Sequence, residues 1–230
     1  MTNEYQHVKV IAFDADDTLW VNETYFREAE LKFAELLSAY ETANKIDQEL
    51  FKMEMDNLSM YGYGIKGFML SMVESALALS NYKIKPKIIE KILNLGKEML
   101  EKPIELLDGV EHTLKVLKPN YKLILATKGD LLDQERKLEK SGLIKYFHHI
   151  EVLSDKKPDN YLKLVSHLDI EPRELLMIGN SLKSDILPLI EIGSSAVHVP
   201  FHTTWAHEVV EHNGNGYKTI STLTDVLKFL

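Results

Sequence analysis

With 230 residues, 45% of them hydrophobic and 27% charged, the chain is long enough to bury a sizeable core and reads as an ordinary globular protein. The absence of cysteine excludes disulfides, thiolate metal ligands and cysteine nucleophiles. A formal net charge of −8 argues against general binding to nucleic acid or anionic membranes, so a phosphorylated ligand requires a local positive site.

The first seven residues carry neither a basic region nor an apolar signal core, and no later apolar run approaches the ~18 residues needed to span a bilayer. A cytoplasmic protein is the expectation. Val8 to Phe13 is short, apolar on both faces and rich in β-branched and aromatic residues, the pattern of a central strand in a covered parallel sheet. It breaks off into Asp14, Asp16 and Asp17, carboxylates that repel one another unless a cation or hydrogen-bond donors offset the repulsion. Ligands of open α/β sheets bind beyond the carboxyl ends of strands, where Asp14 and Asp16 fall. The plainer reading is an acidic turn.

After Trp20 the period becomes helical. Phe26, Ala29, Phe33, Leu36, Leu37 and Tyr40 recur at three- and four-residue spacing, which predicts an amphipathic helix over 23–40. Asp47 can cap a second helix through Met60, Gly67 to Ser80 reads as a third, and Pro86 opens a fourth to about residue 100. Strands then alternate with helices. Strands are predicted at 121–126, 148–153, 175–178, 195–199 and 217–220, the last preceded by the turn 213–216. Helices are predicted at 109–117, 131–140, 158–168 and 185–192, with a final one capped by Ser221 or Thr222 and running to Leu230. The fold class is therefore α/β, a doubly wound parallel sheet with helices on both faces. Its core is expected to comprise 1–20 and 104–230, with an all-helical domain inserted at 21–103.

Four predicted strand ends carry polar residues in order: Asp14 and Asp16, then Thr127, then Lys157 before Pro158, then Gly179-Asn180-Ser181 with Asp185. In these motifs, and in the place of the helical insert, the chain resembles the haloacid dehalogenase superfamily, phosphatase type, with a Rossmann-like core and a helical cap. Each residue also has a plainer reading. Thr127 could end a strand, Lys157 could be half of a solvated Lys156–Lys157 pair, and Asp185 could cap the helix after it.

The resemblance implies a phosphatase acting on a small phosphorylated metabolite. Hydrolysis of phosphate monoesters is among the slowest uncatalysed reactions, so positioning and charge neutralisation carry the catalysis. Asp14 would be the nucleophile, ionised at neutral pH and able to form an acyl phosphate that water opens. Asp16 would protonate the leaving oxygen and then accept a proton from the attacking water. Mg²⁺, a hard ion suited to oxygen donors, would be held by the Asp14 carboxylate, the Asp16 carbonyl and Asp185, with Asn180 beside it. Lys157 would supply a second positive charge, and Thr127 a hydroxyl to the phosphate.

Two positions depart from the family pattern. Lys128 stands where Asn usually follows the Thr, pointing to solvent or adding a cation near the phosphate. Asn180 stands where an acid is common; its amide can still accept from a metal-bound water, with weaker metal binding. In capped family members cap residues select the substrate, and here Tyr61 to Phe68 is the most unusual stretch. Tyr63 and Lys66 are the substrate candidates there, against a simple tight connection between helices. Trp20 is expected to pack at the hinge, and the loop 200–205 to border the site. The histidines at 198, 202, 207 and 212 match no familiar metal spacing. A phosphomutase would use the same two acids, whereas dehalogenases of the superfamily generally lack the second. Outside these enzymes, a phosphate-binding protein without catalysis stays open, as does a receiver module with Asp155 as its best phosphoacceptor.

Overall fold

Six parallel strands form one sheet in the computed structural model, which describes residues 5–212 and 214–230. They are β1 (Val10–Phe13), β2 (Lys122–Lys128), β3 (His149–Leu153), β4 (Leu175–Gly179), β5 (Ser195–His198) and β6 (Lys218–Thr219). Their spatial order is β3-β2-β1-β4-β5-β6, with β1 paired to β2 on one side and to β4 on the other. The chain thus winds outward from β1 in one direction, then returns to lay β4 on the opposite side. That reversal opens the crevice in which such sheets bind ligands.

Alternation along the strands sorts side chains to two faces. Ile11, Phe13, Leu123, Leu125, Leu176 and Ile178 pack with Val110, Leu114 and Leu117 of helix α5 (Val110–Leu117) and with Leu138 of α6 (Leu131–Ser141). Val10, Ala12, Ile124, Ala126, Leu175 and Met177 face Tyr161, Leu164 and Val165 of α7 (Pro158–His167) and Leu189 of α8 (Leu187–Glu191). Helices on both faces leave β1 and β4 fully buried, as their uninterrupted apolar sequences require.

Between β1 and α5 the chain forms α1 (Glu23–Leu37), α2 (Ala43–Tyr61), α3 (Ile65–Leu79) and α4 (Pro86–Glu101). Two compact units result. One holds the chain up to Glu23 together with Ile104–Lys128 and Glu135–Leu230; the other holds Thr24–Pro103 and Gly129–Gln134. The helical unit has its own core, in which Phe33, Leu37, Ile46, Leu50, Phe68, Met72 and Ile92 meet. Among the described residues no helix is long and apolar enough to cross a membrane.

The departures from expectation have local causes. The second helix starts at Ala43, because extended Thr42 occupies the cap position and Asp47 lies inside the first turns. Helix α1 stops at Leu37, where the Tyr40 amide closes a turn on the Leu37 carbonyl. The helix expected at 185–192 is split into a π-turn at Leu182–Ile186 and the short α8. Pro188 has no N–H to offer the Ser184 carbonyl. The Tyr161 hydroxyl donates to that carbonyl instead, at 2.9 Å. The C-terminal helix is a 3₁₀ segment, Leu223–Lys228. Asn213 of the expected turn lies outside the described residues, as do Met1 to Glu4 of the N-terminal stretch.

Tyr161→Phe should therefore orphan a buried carbonyl and lower stability by about 1–3 kcal/mol in urea unfolding, with the fold retained.

Candidate active site

The Asp14 amide donates to the Ile178 carbonyl of β4, so the first carboxylate leaves β1 held against the neighbouring strand. Beyond it the chain turns tightly, with the Leu19 amide on the Ala15 carbonyl and the Asp17 amide on the Trp20 carbonyl. Asp17 adopts φ 62°, a left-handed conformation that Asp tolerates better than most residues. Its carboxylate accepts from the Asn22 amide at 2.8 Å and the Glu23 amide at 3.0 Å, capping the start of α1. Asp17 therefore shapes the loop.

Asp14 is 6% exposed. Its Oδ2 accepts from Thr18 Oγ1 at 3.0 Å, and its Oδ1 accepts from Lys156 Nζ at 2.5 Å. The same ammonium lies 2.6 Å from Asp185 Oδ1, and Asp185 Oδ2 accepts the Ser181 amide at 2.9 Å. Burial and the Asp185 charge push the Asp14 carboxyl up against the pull of Lys156, to about 7. Lys156 is itself buried, which would lower its pKa, but the two carboxylates outweigh this and hold it well above the ordinary lysine range.

The lysine at the site is thus Lys156, and the expectation for Lys157 is corrected. Lys157 is the residue before Pro158 at the cap of α7; its side chain is 73% exposed and pairs with Asp155 at 2.7 Å. Lys156, 3% exposed, points inward. A residue at a helix cap can turn its side chain to solvent, and its predecessor then faces the strand ends.

Thr127 is buried at the end of β2, its hydroxyl 3.5 Å from the Lys128 carbonyl oxygen, too long for a strong hydrogen bond. Lys128 does not point to solvent. Its ammonium donates to Ser184 Oγ at 2.9 Å and forms an ion pair with Glu208. The Glu208 carboxylate also accepts from Ser181 Oγ and, at 2.6 Å, from Ser184 Oγ. Burial would raise the Glu208 carboxyl, but the Lys128 charge and these hydrogen bonds bring it down to about 2. The segment after β5 therefore reaches the loop after β4 through Glu208 and through His207, whose carbonyl accepts from Lys183 at 2.7 Å. His198 lies 3.0 Å from the Asn180 carbonyl oxygen.

Gly179 ends β4 against Asp185. A Cβ added there would lie 2.4 Å from Asp185 Cγ, so only glycine leaves room for that carboxylate. Next to it, one terminal atom of the Asn180 amide lies 3.3 Å from Thr18 Oγ1, 3.2 Å from Asp14 Oδ2 and 3.2 Å from the Asp16 carbonyl oxygen. With NH₂ in that position, the amide donates to oxygens and the cluster needs no cation. With oxygen there, it stands 3.2 Å from both Asp14 Oδ2 and the Asp16 carbonyl oxygen, hard donors of the kind Mg²⁺ takes. The donor set fits such an ion. Asp185, by contrast, has both oxygens engaged by Lys156 and the Ser181 amide.

Asp16 sends its carboxylate elsewhere. Its Oδ1 accepts from Trp20 Nε1 at 2.7 Å and from Lys137 Nζ at 3.0 Å. Trp20 is fully buried in the core beside the sheet and also anchors this acid. Tyr63 and Lys66 belong to the helical unit. Lys66 pairs within that unit with Asp130 at 2.9 Å, and Gly62 and Gly64, both at positive φ, make the tight connection between α2 and α3.

The parallel sheet thus carries acids at two adjacent strand ends with a buried lysine between them. The family model for haloacid dehalogenase-like hydrolases matches residues 8–193, and the chain belongs to that family. Among curated relatives, the N-acylneuraminate-9-phosphatase of Mus musculus is 25% identical over 200 residues, covering 82% of this chain and 81% of the relative. Among solved structures, a haloacid dehalogenase-like family hydrolase from Xanthomonas campestris is 38% identical with a TM-score of 0.82, covering 90% of this chain and 87% of that one. A HAD phosphatase from Thermococcus onnurineus shares the fold at 21% identity and a TM-score of 0.63, covering 96% and 97%.

Because the folded Glu208 carboxyl sits below its unfolded value of 4.5, its ion pair stabilises fully above that value and fades as pH falls toward 2. The wild-type unfolding temperature should drop more steeply between about pH 5 and about pH 3 than that of Glu208→Gln, which should already be less stable at neutral pH.

Proposed function

We propose that this hydrolase is a Mg²⁺-dependent phosphatase that removes phosphate from a small phosphorylated metabolite through an aspartyl-phosphate on Asp14. The observation that carries this reading is the buried contact of Asp14 with Lys156, at the strand end where the Asp16 carbonyl and Asn180 amide converge. The phosphatase names of relatives support it further.

Lys156 neutralises Asp14 and Asp185 and offers one positive charge to an incoming phosphate. An Asp14 oxygen attacks phosphorus, the bond to the leaving oxygen breaks, and Asp16 gives that oxygen its proton. Water then attacks the same phosphorus and passes a proton to Asp16, and the bond to Asp14 breaks, releasing inorganic phosphate. Thr18 holds Asp14 in register by its hydrogen bond, and Thr127, buried beside β1, is the hydroxyl available to a phosphate oxygen. Asp14, the Asp16 carbonyl and Asn180 would hold Mg²⁺, and Asp185 would join them on release from Lys156. The ion would neutralise phosphate charge as it develops.

Purified protein should hydrolyse 4-nitrophenyl phosphate in the presence of Mg²⁺ and lose activity in EDTA. Asp14→Asn should lose about 10³-fold or more, and undiminished turnover by that variant would overturn the mechanism. Lys156→Met should lose at least about 100-fold, whereas Lys157→Met should stay within about twofold of wild type. A panel of phosphorylated metabolites, read by phosphate release, would identify the substrate.

A further inference from the structure

The connection between β5 and β6, residues 199–217, exceeds the about 12–15 residues beyond which irregular loops are uncommon and usually functional. Its regular structure among the described residues is one 3₁₀ turn, Ala206–Glu208. The last residue of that turn sends its side chain inward: Glu208 is 10% exposed there, and the Lys128 side chain it pairs with 16%. One carboxylate then serves two loops. Its Oε1 takes the Lys128 ammonium, from the last residue of β2, and its Oε2 takes the Ser181 and Ser184 hydroxyls, from the loop after β4. Because β1 lies between β2 and β4, Glu208 ties together the two strand ends that flank Asp14.

The two serines stand at telling places. Ser181 directly follows Asn180 and Ser184 directly precedes Asp185, so the fastened hydroxyls lie just inside the two candidate cation ligands of this loop. Ser181 Oγ also accepts the Ser184 amide at 3.1 Å, and Lys183 between them donates to the His207 carbonyl at 2.7 Å. We propose that Glu208 is a positioning residue for the cation site, fixing Asn180 and Asp185 through the serines beside them. The inference rests on the Mg²⁺ reading of the preceding subsection. Groups behind metal ligands matter because they aim the donors, and losing one typically costs about 10–100-fold in affinity. Aim counts for more than usual at Asn180, whose neutral amide brings no net charge to a cation. Lys128 fits the same account: it balances the Glu208 charge, so the fastening adds none to the site.

The test reads ion binding rather than turnover. Mn²⁺, which takes the same octahedral oxygen donors as Mg²⁺ and gives an EPR signal when free, is titrated with the full chain. Glu208→Gln should raise the Mn²⁺ Kd about tenfold or more. That variant leaves the Lys128 charge unbalanced, so the deciding one is Lys128→Met/Glu208→Leu, which removes both charges. Replacing a buried ion pair by apolar residues is often neutral or stabilising, so this double variant should keep its fold. If Glu208 acted by charge alone, the double variant would return to wild-type affinity; loss of the fastening leaves it about tenfold weaker or more. Ser184→Ala, which deletes one hydroxyl and no charge, should weaken binding by a smaller factor, about threefold. Wild-type affinity in either the double variant or Ser184→Ala, with the fold confirmed by circular dichroism, overturns the inference. Wild-type protein without saturable Mn²⁺ binding would instead overturn the metal reading beneath it, so the two failures are told apart.

Discussion

One ammonium group organises the strand ends. Lys156 lies between Asp14 and Asp185, at 2.5 and 2.6 Å, and without it two buried carboxylates would face each other across the crevice. Removing one partner of a buried ionic cluster typically costs about 3–5 kcal/mol, because the remaining charges are left uncompensated. Here the remainder would be two like charges. The loop after β4 is tied to the same group, since Asp185 meets Lys156 with one oxygen and the Ser181 amide with the other. The arrangement that lets Asp14 stay buried thus also keeps a positive charge beside it.

The topology makes this possible. Asp14 follows β1, Asp185 follows β4, and Lys156 comes from the connection between β3 and α7. These segments are far apart in sequence, and the reversal of strand order beside β1 brings them together. Further connections then add a second tier. Glu208, after β5, takes Lys128 from the end of β2 and two serines from the loop after β4. Lys137, on the helix after β2, takes the acid two residues beyond Asp14.

The parallel sheet was legible because buried strands such as Leu175–Gly179 are continuously apolar and the helices between them are periodic. The motif acids were legible because carboxylates crowded at strand ends have few structural reasons to be there. Three kinds of information were not in the local pattern. Two adjacent lysines, Lys156 and Lys157, look alike in sequence, and only the cap geometry at Pro158 decides which turns inward. The helix expected at 185–192 is broken at Pro188, and the Tyr161 hydroxyl that takes up the Ser184 carbonyl there comes from another helix. Glu208 and Lys137 carry no motif, and their roles follow from contacts spanning 80 and 121 residues.

Gly179 bears on how such an enzyme could be altered. With Asp185 Cγ only 2.4 Å from where a Cβ would stand, the last position of β4 tolerates no side chain while the carboxylate stays in place. Laboratory evolution that randomises the loop from Gly179 to Asp185 would meet two unlike constraints. Position 179 is closed by volume, so its alternatives are lost to clash before any chemistry is sampled. Position 180 is constrained instead by the atoms it offers, because its terminal group faces Asp14 Oδ2 and the Asp16 carbonyl oxygen at 3.2 Å. Diversity in this loop is therefore best spent on Asn180.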